Sequence, residues 1–127
     1  MKALYIEKTN STPKIDFNPE TRTLRIEGQS YPENAFKFYT PVLNWIDDFL
    51  DNENGEVFIE IDFHLPYINS SSTKCIMMLL DKFEDYFSEG KKISVKWYYD
   101  VENEISLECA EEFKEDLTLP FSIIKIN

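Results

Sequence analysis

Five small polar residues stand together in this chain: Asn69-Ser70-Ser71-Ser72-Thr73. They lie between a strand-like run and a helix-like run. Hydroxyl and amide side chains at a helix start cap its free N–H groups. Four hydroxyls in a row are more than one cap needs. A phosphate on one of them would lie where backbone N–H groups and the helix dipole favour negative charge. On the residues alone two readings stand: a capped polar loop, or a phosphoacceptor. Phosphorylation would add roughly two negative charges and three strong acceptor oxygens to an exposed patch. Lys74 stands one turn inside the helix, either solvated or paired with a phosphate on Ser70 or Ser71.

The same serines could instead suggest a nucleophile. That chemistry needs a nearby base. His64 is the single histidine. It precedes the cluster on the same strand-to-loop path, and no Gly-x-Ser-x-Gly elbow surrounds the serines. The constellation of a hydrolase is therefore missing. Paired acids are abundant, among them Asp47-Asp48, Glu84-Asp85 and Glu111-Glu112. Their places on predicted helices read as solvated outer faces. With 3 glycines in the chain, no Gly-rich phosphate cradle exists. Cys75 and Cys109 sit among apolar neighbours on predicted helices and read as reduced, buried thiols. Their spacing fits no zinc motif, so neither a metal nor another cofactor is expected.

Trp97-Tyr98-Tyr99-Asp100 ends a predicted strand on the same side of the sheet as the hydroxyl cluster. It reads either as core packing with an edge aromatic or as a contact patch, since Trp and Tyr are frequent interface anchors. Tyr31 and Pro32 are candidates to join that surface.

These residues need a frame to hold them. The chain has 127 residues, 43% of them hydrophobic and 15% aromatic, which suits one domain, 1–127, with an aromatic-rich core. The formal charge is −11, which argues against nucleic-acid binding and against anionic membrane surfaces. A partner with a basic patch is compatible with it. The apolar runs fall short of a membrane span, and the N-terminal run Met1 to Glu7 meets a charge too soon to be a signal peptide. A cytoplasmic protein is the expectation.

Alternation predicts strands at Lys14–Phe17 and Thr23–Glu27, joined by the turn Asn18-Pro19-Glu20-Thr21. Leu4 to Glu7 is a candidate first strand. Tyr39, Val42, Leu43, Ile46 and Leu50 give a first helix one apolar face. Pro41 either kinks that helix or sits in its first turn after a Thr40 cap. Glu56–Leu65 predicts a central strand, stopped by Pro66. Ile76, Leu79, Leu80, Phe83 and Phe87 mark a second helix, ended by Gly90. Ile93, Val95 and Trp97 predict the next strand, residues 102–116 a third helix and Phe121–Ile126 a last strand. Strands separated by helices imply parallel neighbours and right-handed crossovers. The expected fold is α/β: a mixed sheet with an antiparallel N-terminal hairpin and about three helices. Sites in such sheets lie beyond the carboxyl ends of the strands, where the hydroxyl cluster falls.

Several segments, in order, carry a family resemblance: Ser11-Thr12-Pro13, Ser30-Tyr31-Pro32-Glu33-Asn34, Tyr67 to Lys74, Trp97-Tyr98-Tyr99-Asp100 and Ala110 to Asp116. Together they resemble the SiaC family of bacterial regulatory phosphoproteins, across nearly the whole chain. The resemblance implies a single STAS-like domain, like the anti-sigma-factor antagonists, and no enzyme activity. It implies a phosphoacceptor at the start of the second main helix. Carried over, that residue is Ser70, directly after Tyr67-Ile68-Asn69. Thr is known at this place in the family, and Ser keeps the hydroxyl; Ser71 and Ser72 remain alternatives. The resemblance further implies a serine/threonine kinase of the histidine-kinase ATPase fold and an opposing metal-dependent phosphatase. It implies that the unphosphorylated form binds and activates a diguanylate cyclase, linking it to biofilm control. The expected partner surface comprises Tyr31, Tyr67, Asn69, Ser71, Ser72, Lys74, Trp97 and Tyr99. A small-molecule-binding or interaction domain without a phosphoswitch is the alternative; it requires an aromatic-lined pocket and a strongly perturbed acid.

Overall fold

The computed structural model describes residues 1–127. Its sheet follows from alternation. In β2 (Lys14–Asn18) and β3 (Thr23–Glu27), Ile15, Phe17, Leu24 and Ile26 are buried, while Lys14, Asp16 and Arg25 point the other way. The expected hairpin is present, and Asn18 builds its turn: its Oδ1 accepts the Glu20 N–H at 2.9 Å and the Thr21 N–H at 3.3 Å. Arg22 completes the turn in the left-handed region, at φ 58°. β1 (Leu4–Ile6) adds to β2 antiparallel, with Leu4 opposite Phe17.

From β3 onward the chain alternates helix and strand: α1 (Ala35–Asp51), β4 (Ile59–His64), α2 (Ser70–Ser88), β5 (Ile93–Asp100), α3 (Glu104–Glu115) and β6 (Phe121–Ile126). β3 to β6 pair in parallel, giving one sheet in the order β1-β2-β3-β4-β5-β6. Each right-handed crossover advances one strand in the same direction, which puts all three helices on one face. Burial agrees. Ile59, Ile61, Phe63, Val95 and Trp97 face the helices and join Ile46, Phe49, Leu79, Phe83 and Phe113 in one core. The opposite face carries no helix. Pairing register lays Asp16, Arg25, Asp62, Lys96 and Ser122 across it in one row.

Two expected boundaries shift, and the alternative left open at Pro41 is decided. Of the two places open to Pro41, the structure has the helix interior: α1 starts at Ala35 and is capped by Asn34, whose Oδ1 accepts the Lys37 N–H at 3.0 Å. Pro41 therefore lies inside the helix, on its exposed side, with no N–H to donate to the preceding turn. β4 begins at Ile59 rather than Glu56, because the chain is still leaving the turn at Gly55 (φ 84°) and Val57 and Phe58 are exposed. α3 starts at Glu104 after an Asn103 cap.

Candidate phosphoacceptor site at the start of the second helix

β4 hands the chain to α2 through Leu65–Asn69, and neighbouring loops fix that path. Pro66 cannot donate to a ladder. Its carbonyl accepts from Asn103 Nδ2 at 2.9 Å, and the Leu65 carbonyl accepts from Ser106 Oγ at 3.3 Å. On the other side Ser30 brackets the loop through its backbone. Its N–H donates to the Tyr67 carbonyl at 2.8 Å, and its carbonyl accepts the Asn69 N–H at 3.0 Å. The start of α2 is thus held from both flanks.

Asn69 is the N-cap. Its Oδ1 accepts the Ser72 N–H at 2.8 Å, and its carbonyl accepts both the Thr73 N–H at 2.9 Å and the Thr73 Oγ1–H at 3.0 Å. A helix start leaves its first N–H groups without intrahelical partners. Here the cap takes up that of Ser72, which leaves those of Ser70 and Ser71 to meet an anion. Both serines are exposed. An oxygen on Ser70 stands at the positive end of α2 and in reach of solvent, the condition that the phosphoacceptor reading requires.

Ser72 differs from its neighbours. It is 0% exposed, and its Oγ accepts a hydrogen bond from Ser30 Oγ at 2.8 Å. Ser30 Oγ also bonds the Tyr39 hydroxyl of α1 at 2.7 Å. Burial pushes the Tyr39 phenol well above its ordinary range. The expectation that Ser72 contacts a partner or serves as an alternative acceptor is corrected here: its hydroxyl is inside the protein.

Trp97 requires the same correction. It is 0% exposed, stacked on Phe63 at 5.4 Å between ring centroids and tilted against Phe113 at 5.6 Å. Its indole N–H donates to Ser106 Oγ at 3.1 Å. It is a core residue, not a contact residue. Tyr99 is half-buried against the same core. Tyr31 and Tyr67, in contrast, are exposed and meet edge-on at 5.9 Å, forming an aromatic ridge on the strand-exit edge that holds Ser70.

Lys74 is exposed and lines a shallow groove between the starts of α1 and α2, with Asn34, Phe36, Ser71, Cys75 and Met78; its volume is about 390 Å³. Phe36 and Met78 were not among the expected site residues. Their signal was available: both are apolar residues lying off the core stripe of their helices. The strongly perturbed acid of the chain, Asp62, lies on the opposite, helix-free face. The two features that a small-molecule site requires therefore do not meet. No cluster of three or more His, Cys, Asp or Glu side chains could hold a metal. Cys75 is buried, whereas Cys109 is only half-buried, correcting the expectation of two sealed thiols; both are free. No helix is long and apolar enough to cross a membrane.

Comparison with known proteins decides the family. The profile described as "SiaC family regulatory phosphoprotein" matches residues 6–126. The chain belongs to the SiaC family. A protein of Pseudomonas aeruginosa strain UCBPP-PA14 is 40% identical over 123 residues, 97% of this chain and 96% of that one. The solved structure of SiaC of Pseudomonas aeruginosa superposes with a TM-score of 0.91 at 37% identity, covering 99% of this chain and 100% of that one. A second solved structure shows the diguanylate cyclase SiaD in complex with its activator SiaC, from the same organism. Its matched chain has a TM-score of 0.90 at 39% identity, with coverage of 97% and 99%. SiaC-family membership makes this chain a regulatory protein and not an enzyme.

Proposed function

We propose that this SiaC-family chain is a phosphoswitch whose acceptor is Ser70, and that its unphosphorylated form binds and activates a diguanylate cyclase. The observation that carries the reading is the exposed hydroxyl of Ser70 at the first position of α2, beside the uncommitted N–H groups of Ser70 and Ser71. A dianion gains stabilisation there without unfolding the helix. It also changes the charge of the edge that carries Tyr31 and Tyr67. A docking surface built on that edge loses its partner through repulsion and bulk. The cyclase is suggested by the complex that the homologous activator SiaC forms with SiaD. A serine/threonine kinase of the histidine-kinase ATPase fold writes the mark and a metal-dependent phosphatase removes it, in the cytoplasm and in the service of biofilm control. Asn69 holds the helix start; Ser71, Lys74, Tyr31, Tyr67 and the outer edge of Tyr99 border the partner.

The test combines mass and binding. Protein isolated from its own cell is weighed intact, and peptides spanning residues 66–82 are mapped. Ser70→Ala abolishes kinase-dependent labelling and keeps the fold. Ser70→Asp weakens binding to the cyclase by about tenfold or more, the scale of one misplaced charge at an interface. Full labelling of Ser70→Ala would reject Ser70 as the acceptor.

A further inference from the structure

Ser30, Tyr39 and Ser72 form a hydroxyl chain that is sealed from solvent, and it ends inside the very cluster that holds the switch. We propose that this chain is the acceptor selector of the site: it withdraws Ser72 from phosphorylation and leaves the outer hydroxyls to the kinase. The inference rests on the phosphoswitch reading above and adds the residues that determine its specificity.

The chemistry sets the requirement. Phosphoryl transfer forms an Oγ–P bond and breaks the bond between the γ-phosphorus of a nucleoside triphosphate and its bridging oxygen. The diphosphate leaves, and the hydroxyl proton passes to a base. The attacking oxygen must offer a free lone pair along the line of the leaving group. Ser72 Oγ is withheld first by burial, at 0% exposure, and one of its two lone pairs already receives the Ser30 hydroxyl at 2.8 Å. Thr73 is constrained less severely, since its hydroxyl donates to the Asn69 carbonyl at 3.0 Å. Ser70 and Ser71 are exposed. The four neighbouring hydroxyls thus divide into an inner, engaged pair and an outer, accessible pair.

Ser30 is suited to set this division. Its backbone brackets the loop at Tyr67 and Asn69, and its side chain reaches both Tyr39 in α1 and Ser72 in α2. Ser30 and Tyr39 are positioning residues; neither is exposed to a kinase.

The full-length protein and its kinase, with ATP, provide the test, read by site-resolved peptide mapping. In the wild type, phosphate is expected at Ser70 and absent from Ser72. In Ser30→Ala, and separately in Tyr39→Phe, phosphate is expected to appear on Ser72, where the wild type carries none. Circular dichroism confirms that the variants fold; Tyr39→Phe keeps the ring and serves if Ser30→Ala does not fold. In a Ser70→Ala, Ser71→Ala background, label is expected to reappear at Ser72 only when Ser30→Ala or Tyr39→Phe is added. An unchanged site distribution in a folded Ser30→Ala protein, or in Tyr39→Phe if Ser30→Ala does not fold, overturns the selector and leaves Ser70 as acceptor. Ser72 labelling in the wild type also overturns it. A wild type that accepts no phosphate on any of the four hydroxyls overturns the phosphoswitch reading itself.

Discussion

Asp62 shows how one side chain can work against the stability of its own strand. It is 8% exposed on the helix-free face, and its Oδ1 has no hydrogen-bond partner. Burial, reinforced by the neighbouring Glu60 carboxylate, pushes its pKa up to about 6; Arg25 and Lys96 pull the other way without winning. Lys96, 2.9 Å from Glu60, holds the Glu60 carboxyl below its usual range. For Asp62 the folded value lies above the ordinary value of 3.8. Its contribution to stability is therefore complete below that ordinary value and is lost as pH rises through about 6. Asp62→Asn is expected to be more stable than the wild type at pH 7.5, with the gap closing toward pH 4, as measured by urea unfolding. Equal stability at both pH values would remove this account. Tyr67→Ala makes a second case at this scale. It should leave the unfolding midpoint nearly unchanged and weaken binding to the proposed cyclase partner in a pull-down, because Tyr67 is exposed beside Tyr31. The burial of Trp97 was legible in the sequence. Its alternation with Ile93 and Val95 already assigned it to the core face, whereas the general preference of Trp for interfaces argued the other way. Ser72 likewise falls on the face of Ile76 and Leu79. What spacing could not show is that Ser30 and Tyr39, far away in sequence, would converge on it.

At the scale of elements, caps decide more than propensity. Asn69→Ala removes the acceptor of the Ser72 N–H and should cost about 1 kcal/mol in urea unfolding. Asn69→Ser should recover most of that loss. If the serine variant is no better than alanine, capping is not the role of the side chain. In α1 the cap is Asn34 and not Thr40, so Pro41 costs the helix an interior N–H. Pro41→Ala should raise stability by about 1–3 kcal/mol, read as a higher denaturation midpoint. Element order, the hairpin, the parallel run and the position of the hydroxyl cluster were legible because each depends on local periodicity and turn residues. The start of α1 was legible only as two alternatives, because Asn34 and Thr40 are both good caps and packing of Ala35 and Tyr39 selects between them.

At the scale of the whole molecule, the charge of −11 sets a background of self-repulsion. Screening it should stabilise the fold: the thermal midpoint is expected to rise between about 20 mM and 200 mM salt, as the Debye length shortens. A falling midpoint would mean that the ion pairs, among them Lys82–Asp47 at 2.6 Å and Lys96–Glu60, outweigh the repulsion. The charge was fully readable from composition. That one face of a largely parallel sheet stays without helices follows only from strand order, which requires the register of every pair.

That strand order has a consequence for biosynthesis. Each strand after the first pairs with the one made immediately before it. A nascent chain emerging from the ribosome therefore meets an edge already in place, and no segment must wait for a later one to fill a gap in the middle of the sheet. Growth from one side keeps loop closures short, the condition under which topology slows assembly least.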